Sequence, residues 1–409
     1  MWNAIWSRVF RNSRKTERGT GSCFASVVVR AASFALVTAG LALSATVSGT
    51  RVTLVRVPDG GIQPQVAVDT RGIVHLLYFR GEAGGGDLYY VRSSDGGATF
   101  SRPIRVNSQP ESAIATGNIR GAHLAIGRNG KVHVAWNGSN KAEPRGPDNA
   151  TPMLYTRLND AGTAFEPQRN VIQSAYRLDG GGAVAADAAG NVYVFWHAPA
   201  PGTQGEASRR VWVARSSDDG KTFARERAAF DEPTGACGCC GMAALADSKG
   251  NVYALYRSAR EMVHRDMYLL FSHDRGASFS GSDVSAWNVG FCVMSLASFA
   301  EGPAGVEAAW ETGRQVYFAT VDSGKAGAAV GAPGAADDRR YPALAINSRG
   351  DTLLAWTEGM GWKKGGSAAW QVFDAKGRPE GNRGEAEGVP AWSLVAAYAR
   401  PDGGFAVVY

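Results

Sequence analysis

The chain has 409 residues, of which 52 are glycine and 10% aromatic, and no long amphipathic helical stretch appears. Its formal charge of +6 is concentrated at one end. In residues 1–49, Arg8, Arg11, Arg14, Lys15, Arg18 and Arg30 stand against Glu17 alone, which leaves the remainder near neutrality. This excludes a basic nucleic-acid surface, and the glycine and aromatic content favours many short strands joined by turns.

The first element in chain order is a leader. A basic segment precedes the apolar run 33–43, which is followed by the small residues Ser44, Ala45, Ser48 and Gly49. The pattern predicts a secretory signal over 1–49, cleaved after Ala45 or Gly49, with an uncleaved anchor as the alternative. The run falls short of the roughly 20 residues of a spanning helix, so no membrane span is expected beyond the leader. The mature chain is expected to be secreted or periplasmic, where disulfides persist. Cys23 leaves with the leader, and Cys237, Cys239, Cys240 and Cys292 remain.

Residues 50–409 read as one domain built from a repeat. Small and apolar residues, an Asp/Asn-x-x-Gly turn and an apolar strand ending in Trp or Tyr recur over 66–78, 124–136, 184–196, 244–256, 297–310, 343–356 and 395–409. In most units a third strand follows, as at 88–91 and 211–214. After it comes a turn of the form S-x-D-x-G-x-(T/S)-F at 93–100, 216–223 and 272–279, with decayed copies near 160–165, 322–324 and 374–377. The spacing of roughly 50 residues is that of a four-stranded blade, and it predicts an all-β propeller, seven blades rather than six. Residues 51–57 have the character of an outer strand and would complete the last blade, closing the ring by pairing the N- and C-terminal strands.

The S-x-D-x-G-x-(T/S)-F turns are Asp boxes, and with them the chain resembles the sialidase-like (Asp-box, or BNR-repeat) β-propellers. The resemblance implies that Asp95, Asp218 and Asp274 are structural staples. It also implies that carbohydrate is the partner to expect. Hydrolases of that family use three arginines on the substrate carboxylate, a Tyr–Glu nucleophile pair and an aspartic acid–base. Bidentate guanidinium–carboxylate pairing explains the clamp. The family's Arg-Ile-Pro motif leading into blade 1 is absent, since that segment is Gly61-Ile62-Gln63-Pro64-Gln65. Arg120, Arg257, Asp266, Glu311 and Arg340 are the available candidates, with no motif to assign them.

Blade geometry sorts the polar residues. Segments leading into each first strand, and the loops joining strands 2 and 3, share one face, here called the upper face. The Asp boxes lie on the other. The upper face receives Arg80, Arg120, His123, His197, Arg257, Glu311, Glu358, Arg339, Arg340 and Tyr341. It also receives Cys237, Cys239 and Cys240 leading into blade 4, Cys292 and Met294 leading into blade 5, and His264 between them. Two readings compete for this group: disulfide bonding, which the compartment favours, and a soft-metal site for copper or zinc. C-x-C-C matches no standard zinc signature. Two functions therefore stand open: a glycan binder or glycoside hydrolase relative using the axial funnel, and a non-hydrolytic propeller with a Cys/His/Met redox, metal or partner-docking site.

Overall fold

The middle strands of this chain are apolar along their whole length because each blade is sandwiched between two others. Val192–Pro199 and Val132–Asn137 are buried on both faces, and their sequences are near-continuous apolar runs. The outer strand Pro379–Val389 instead alternates between exposed and half-buried positions. A computed structural model describes residues 50–335 and 338–409. The expected leader, with Cys23, lies outside the described residues.

Among the described residues there are seven sheets in sequence order. Blade 1 opens with Ile62–Val68, blade 2 with His123–Ile126, blade 3 with Ala183–Ala186 and blade 4 with Ala243–Ala246. Blades 5 and 6 open with Ala297–Gly302 and Arg339–Ile346. These six have four strands each in antiparallel order, and blade 5 carries a fifth short one. The seventh is three-stranded: Ala396–Ala399 pairs Phe405–Val408, which pairs Val52–Val55. The expected closure is present and its sense is parallel, with Val52 opposite Phe405 and Val55 opposite Val408. First strands of successive blades contact one another around a complete ring.

The apolar core is divided among the blade interfaces. One cluster sits between each pair of neighbours, for instance Tyr155, Trp196 and Trp212 between blades 2 and 3. Trp136, Trp196, Trp310 and Trp356 are all at most 1% exposed, which places the recurring tryptophans in these wedges. His75 and His133 are buried too, each ring 2.7 Å from a tyrosine hydroxyl.

On the lower face the three S-x-D-x-G turns share one hydrogen-bond pattern. Thr99, Thr222 and Ser278 donate backbone N–H to Oδ1 of Asp95, Asp218 and Asp274 at 2.9 Å, and their hydroxyls donate to Oδ2 at 2.6 Å. These donors hold the Asp274 carboxyl well below its usual range. The closing phenylalanines reach the preceding blade, with Phe223 edge-on to Tyr155 at 4.8 Å and Phe279 edge-on to Phe195 at 5.8 Å. Each turn is therefore an inter-blade staple.

Gly220 makes the staple testable. Its φ is +76°, and a Cβ there would lie 1.8 Å from the hydroxyl of buried Tyr155. Left-handed strain of about 1 kcal/mol and overpacking of about 1–3 kcal/mol add at this site. Gly220→Ala is expected to lower unfolding free energy by about 2–4 kcal/mol in urea titration, and an unchanged midpoint would contradict the staple.

Candidate functional site

The segments leading into the blades meet on the upper face, and the one leading into blade 2 fills the middle. Gln63 Nε2 donates to Ala115 O at 2.7 Å and Trp392 O at 2.8 Å, while Asn118 Nδ2 donates to Ser393 O. Cβ atoms built at Gly181 and Gly241 would lie 1.9 and 3.0 Å from Ile119 O. Ile119 itself is 1% exposed and packs with Leu296, Tyr341 and Leu394. Residues 115–121 thus touch the lead-in segments of all six other blades, which only a segment at the axis can do. The expected funnel is plugged on this face.

The candidate arginines are held by the fold. Arg257 is 1% exposed: Nε donates to Ser295 Oγ at 2.7 Å, and the two Nη atoms donate to the carbonyls of Arg265 and Glu311. It stacks over Trp287 at 4.9 Å and has no carboxylate partner among the described residues. Arg120 pairs with Asp179 at 2.5 Å and also bonds the Asp179 carbonyl at 2.7 Å. Arg340 pairs with Asp338 at 2.9 Å, and Arg265 with Glu206 at 2.6 Å. Asp266 is buried as a loop staple, with Oδ1 accepting Trp287 N–H at 2.8 Å.

Glu311 lies beside this frame, 1% exposed, with Oε2 lacking a hydrogen-bond partner. Burial pushes its carboxyl up to about 8, and the nearby Arg340 and Arg257 only partly offset it. Tyr341 is within electrostatic reach of Glu311, buried, with φ +53°. His197 is buried, its Nε2–H donating to Cys240 O at 3.2 Å and its Nδ1 accepting from Arg209 at 3.3 Å. Burial pulls His197 and His123 down to about 4, so both are neutral at pH 7.

The structure brings the four cysteines together. Cys239 is bonded to Cys292. Cys237 and Cys240 are buried thiols with Sγ atoms 3.0 Å apart, and Cys237 Sγ is 3.4 Å from Cys239 Sγ. The cluster is pinned by backbone bonds from Cys237 N to Arg257 O at 2.8 Å and from Gly241 N to Ser295 O at 3.0 Å. His264 falls outside it, its ring 39% exposed and 3.7 Å from Glu261. Met294 packs elsewhere, against the Ile119 cluster. The sulfur atoms of Cys237, Cys239 and Cys240 lie within 4.8 Å of one another, the only such grouping of potential metal ligands among the described residues.

No protein-family model and no curated protein matches the chain. Among solved structures, an α-L-arabinanase of Penicillium chrysogenum complexed with arabinobiose is similar with a TM-score of 0.50 at 14% identity, over 77% of this chain and 94% of that one. The fold is a seven-bladed β-propeller. A Hadza microbial sialidase aligns with TM-score 0.48 at 14% identity over 76% of this chain and 68% of that one. A PL25 ulvan lyase aligns with TM-score 0.47 at 13% identity over 83% and 88%.

Sequence reasoning missed the aromatic part of the propeller's upper face. Trp362, 61% exposed, lies edge-on to Trp392 with ring centroids 4.7 Å apart. A Cβ at Gly117, whose φ is +85°, would meet Arg120 and Met294 at 3.0 Å and Trp362 at 3.7 Å, so these side chains converge over that glycine. Phe291, Met262 and Val263 are exposed on the same face. The signal was available: Trp362 and Trp392 stand outside the repeat position that the core tryptophans occupy. A cleft of about 310 Å³ lies at the upper rim near Tyr176 and Gln204, and another of about 700 Å³ lies on the lower face near Tyr253 and His273.

Glu311 gives a signed pH prediction. Its carboxyl titrates higher folded than unfolded, so between the unfolded value of about 4.5 and the folded value of about 8 the native state binds the extra proton. Stability therefore falls as pH rises through that window. Glu311→Gln is expected to gain thermal stability over the native chain at pH 8 and to gain little at pH 4.5. Parallel melting curves at both pH values would refute this.

Proposed function

We propose that this propeller is an exported Asp-box protein that binds glycan on its upper face by stacking and does not hydrolyse it. The observation that carries the reading is the exposed Trp362 set edge-on against Trp392, beside the Arg120–Asp179 pair. An exposed tryptophan held rigid by a neighbour presents a large apolar face at low entropic cost, and polar groups at its edge can orient hydroxyls. The fold likeness to an arabinanase solved with arabinobiose supports a sugar as the occupant. The leader over 1–49 supports export.

Hydrolysis of the sialidase type lacks support. A carboxylate clamp needs guanidinium N–H groups free and aimed at one gap. Here Arg257 spends its donors on Ser295 and two carbonyls, and Arg120, Arg265 and Arg340 each hold a neighbouring carboxylate. Ile119 is buried with Leu296, Tyr341 and Leu394 where the lead-in segments meet.

Titration calorimetry with arabino-oligosaccharides and sialyllactose tests the reading, together with release from a fluorogenic sialoside. Binding of at least one oligosaccharide is expected without sialoside release. Trp362→Ala should weaken that binding by about 2 kcal/mol, roughly 30-fold in Kd, as loss of a central aromatic anchor does. Binding unchanged in Trp362→Ala, or sialoside turnover, would overturn it.

A further inference from the structure

The four cysteines are arranged for chemistry that glycan binding does not use. Cys239–Cys292 lies at the surface, with Cys292 exposed, while Cys237 and Cys240 sit behind it, each 1% exposed. Cys237 and Cys240 have C-x-x-C spacing, the spacing of exchange-active dithiols. The sulfurs form a chain in space: Cys240 to Cys237 at 3.0 Å, Cys237 to Cys239 at 3.4 Å, and Cys239 bonded to Cys292.

Zinc binding would require the sulfurs to spread. Four thiolates around one zinc, each about 2.3 Å from it, stand about 3.8 Å apart along the tetrahedral edge. The 3.0 and 3.4 Å separations are shorter than that edge, and one of the would-be ligands is already bonded to Cys292. Sulfurs this close suit transfer of an S–S bond along the chain.

The surroundings supply charge for a thiolate. Arg257 is a buried guanidinium with no carboxylate partner, in electrostatic reach of Cys240. Arg265, in reach of Cys237, leaves buried Nε and Nη1 without hydrogen-bond partners. Arg265 is paired with Glu206, and Arg257 has Asp266 and Glu311 in electrostatic reach. A thiolate in the Cys237–Cys240 pair adds a further negative charge beside both guanidinium groups. Burial opposes ionisation of Cys240, but its hydrogen bond to Cys237 and the Arg257 charge hold it below the usual thiol range. The same hydrogen bond and burial push Cys237 up, so the proton of the pair rests on Cys237 and must shift to Cys240 before Cys237 attacks.

We propose that Cys237, Cys239, Cys240 and Cys292 form a thiol–disulfide exchange centre, in which the buried dithiol opens the surface Cys239–Cys292 bond and exposes a reactive Cys292 thiol. Cys237 passes its proton to the Cys240 thiolate and bonds to Cys239 Sγ. The Cys239–Cys292 bond breaks, its electron pair leaving on Cys292, which takes a proton from water. Cys240 then bonds to Cys237 while its proton passes to the departing Cys239 sulfur. One S–S bond has replaced another, with no net oxidation. In the open form Cys292, as thiolate, attacks a disulfide of a second molecule, forming a mixed disulfide and releasing the other half as a thiol.

The test incubates the mature protein with oxidised glutathione, quenches in acid, alkylates and maps peptides by mass spectrometry. Cys292 lies on a different peptide from the other three cysteines, so its state reads directly. The expected result is glutathionylated Cys292 accumulating together with an internal bond among Cys237, Cys239 and Cys240. In Cys237→Ala that product should be lost. The wild-type result stands alone should the variant fail to fold. Cys292 remaining bonded to Cys239, with Cys237 and Cys240 still alkylatable, would overturn the proposal. So would two static bridges in the purified protein, or near-stoichiometric copper or zinc that blocks alkylation.

Discussion

A ring of twisted sheets holds together only if its last interface is packed and hydrogen-bonded like the others, because an open ring would expose two apolar blade faces and a free strand edge. Here that condition is met by Val52–Val55 lying parallel against Phe405–Val408, with Val57 N–H reaching Tyr409 O and Tyr409 N–H reaching Val55 O. The cluster behind it joins Val57, Leu76, Tyr78, Tyr398 and Val408 across blades 7 and 1. Closure also brings every lead-in segment toward one axis. The meeting of Cys237–Cys240 with Cys292, and of residues 115–121 with all the other blades, follows from it.

Convergence has a consequence for the arginines. A segment packed at the axis buries its carbonyls, and buried carbonyls require donors. Arg257 supplies two of them and bonds Ser295 as well, tying blade 4 to blade 5. Arg339 does the same between blades 5 and 6, donating to Ala332 O and Pro333 O while pairing with Glu358. These guanidinium groups are part of the frame. Facing solvent are the aromatics Trp362 and Phe291, the sulfur of Cys292, and the lysines Lys363 and Lys364 that follow Trp362.

The fold was legible because it rests on repetition. The Trp136, Trp196, Trp310 and Trp356 position and the Asp95, Asp218 and Asp274 turns recur at blade spacing, and each copy solves the same packing problem. The seven-blade count and the terminal strand pairing could both be read this way. The upper face was legible only as a list of residues assigned to one side. Which of them meet depends on loop paths that do not repeat. Met294 is two residues from Cys292, and His264 lies between the two cysteine segments in sequence. Yet a short bridge from His264 to Arg260 holds His264 outside the cluster, and Met294 packs against the Ile119 cluster. The plug itself carried no signal, since nothing about Gly117-Asn118-Ile119 marks it as reaching the axis.

If the arginines belong to the frame, recognition on the upper face is by stacking and hydroxyl hydrogen bonds, and charge contributes little. The most direct measurement is the salt dependence of oligosaccharide affinity, comparing a neutral arabino-oligosaccharide with a sialylated one between low and physiological ionic strength. The account predicts that the neutral sugar binds at least as well and that its Kd is insensitive to salt. Exclusive binding of the carboxylated sugar, weakening steeply as salt rises, would contradict it, because that result requires cationic groups, such as the exposed Lys363 and Lys364 next to Trp362, to carry the recognition.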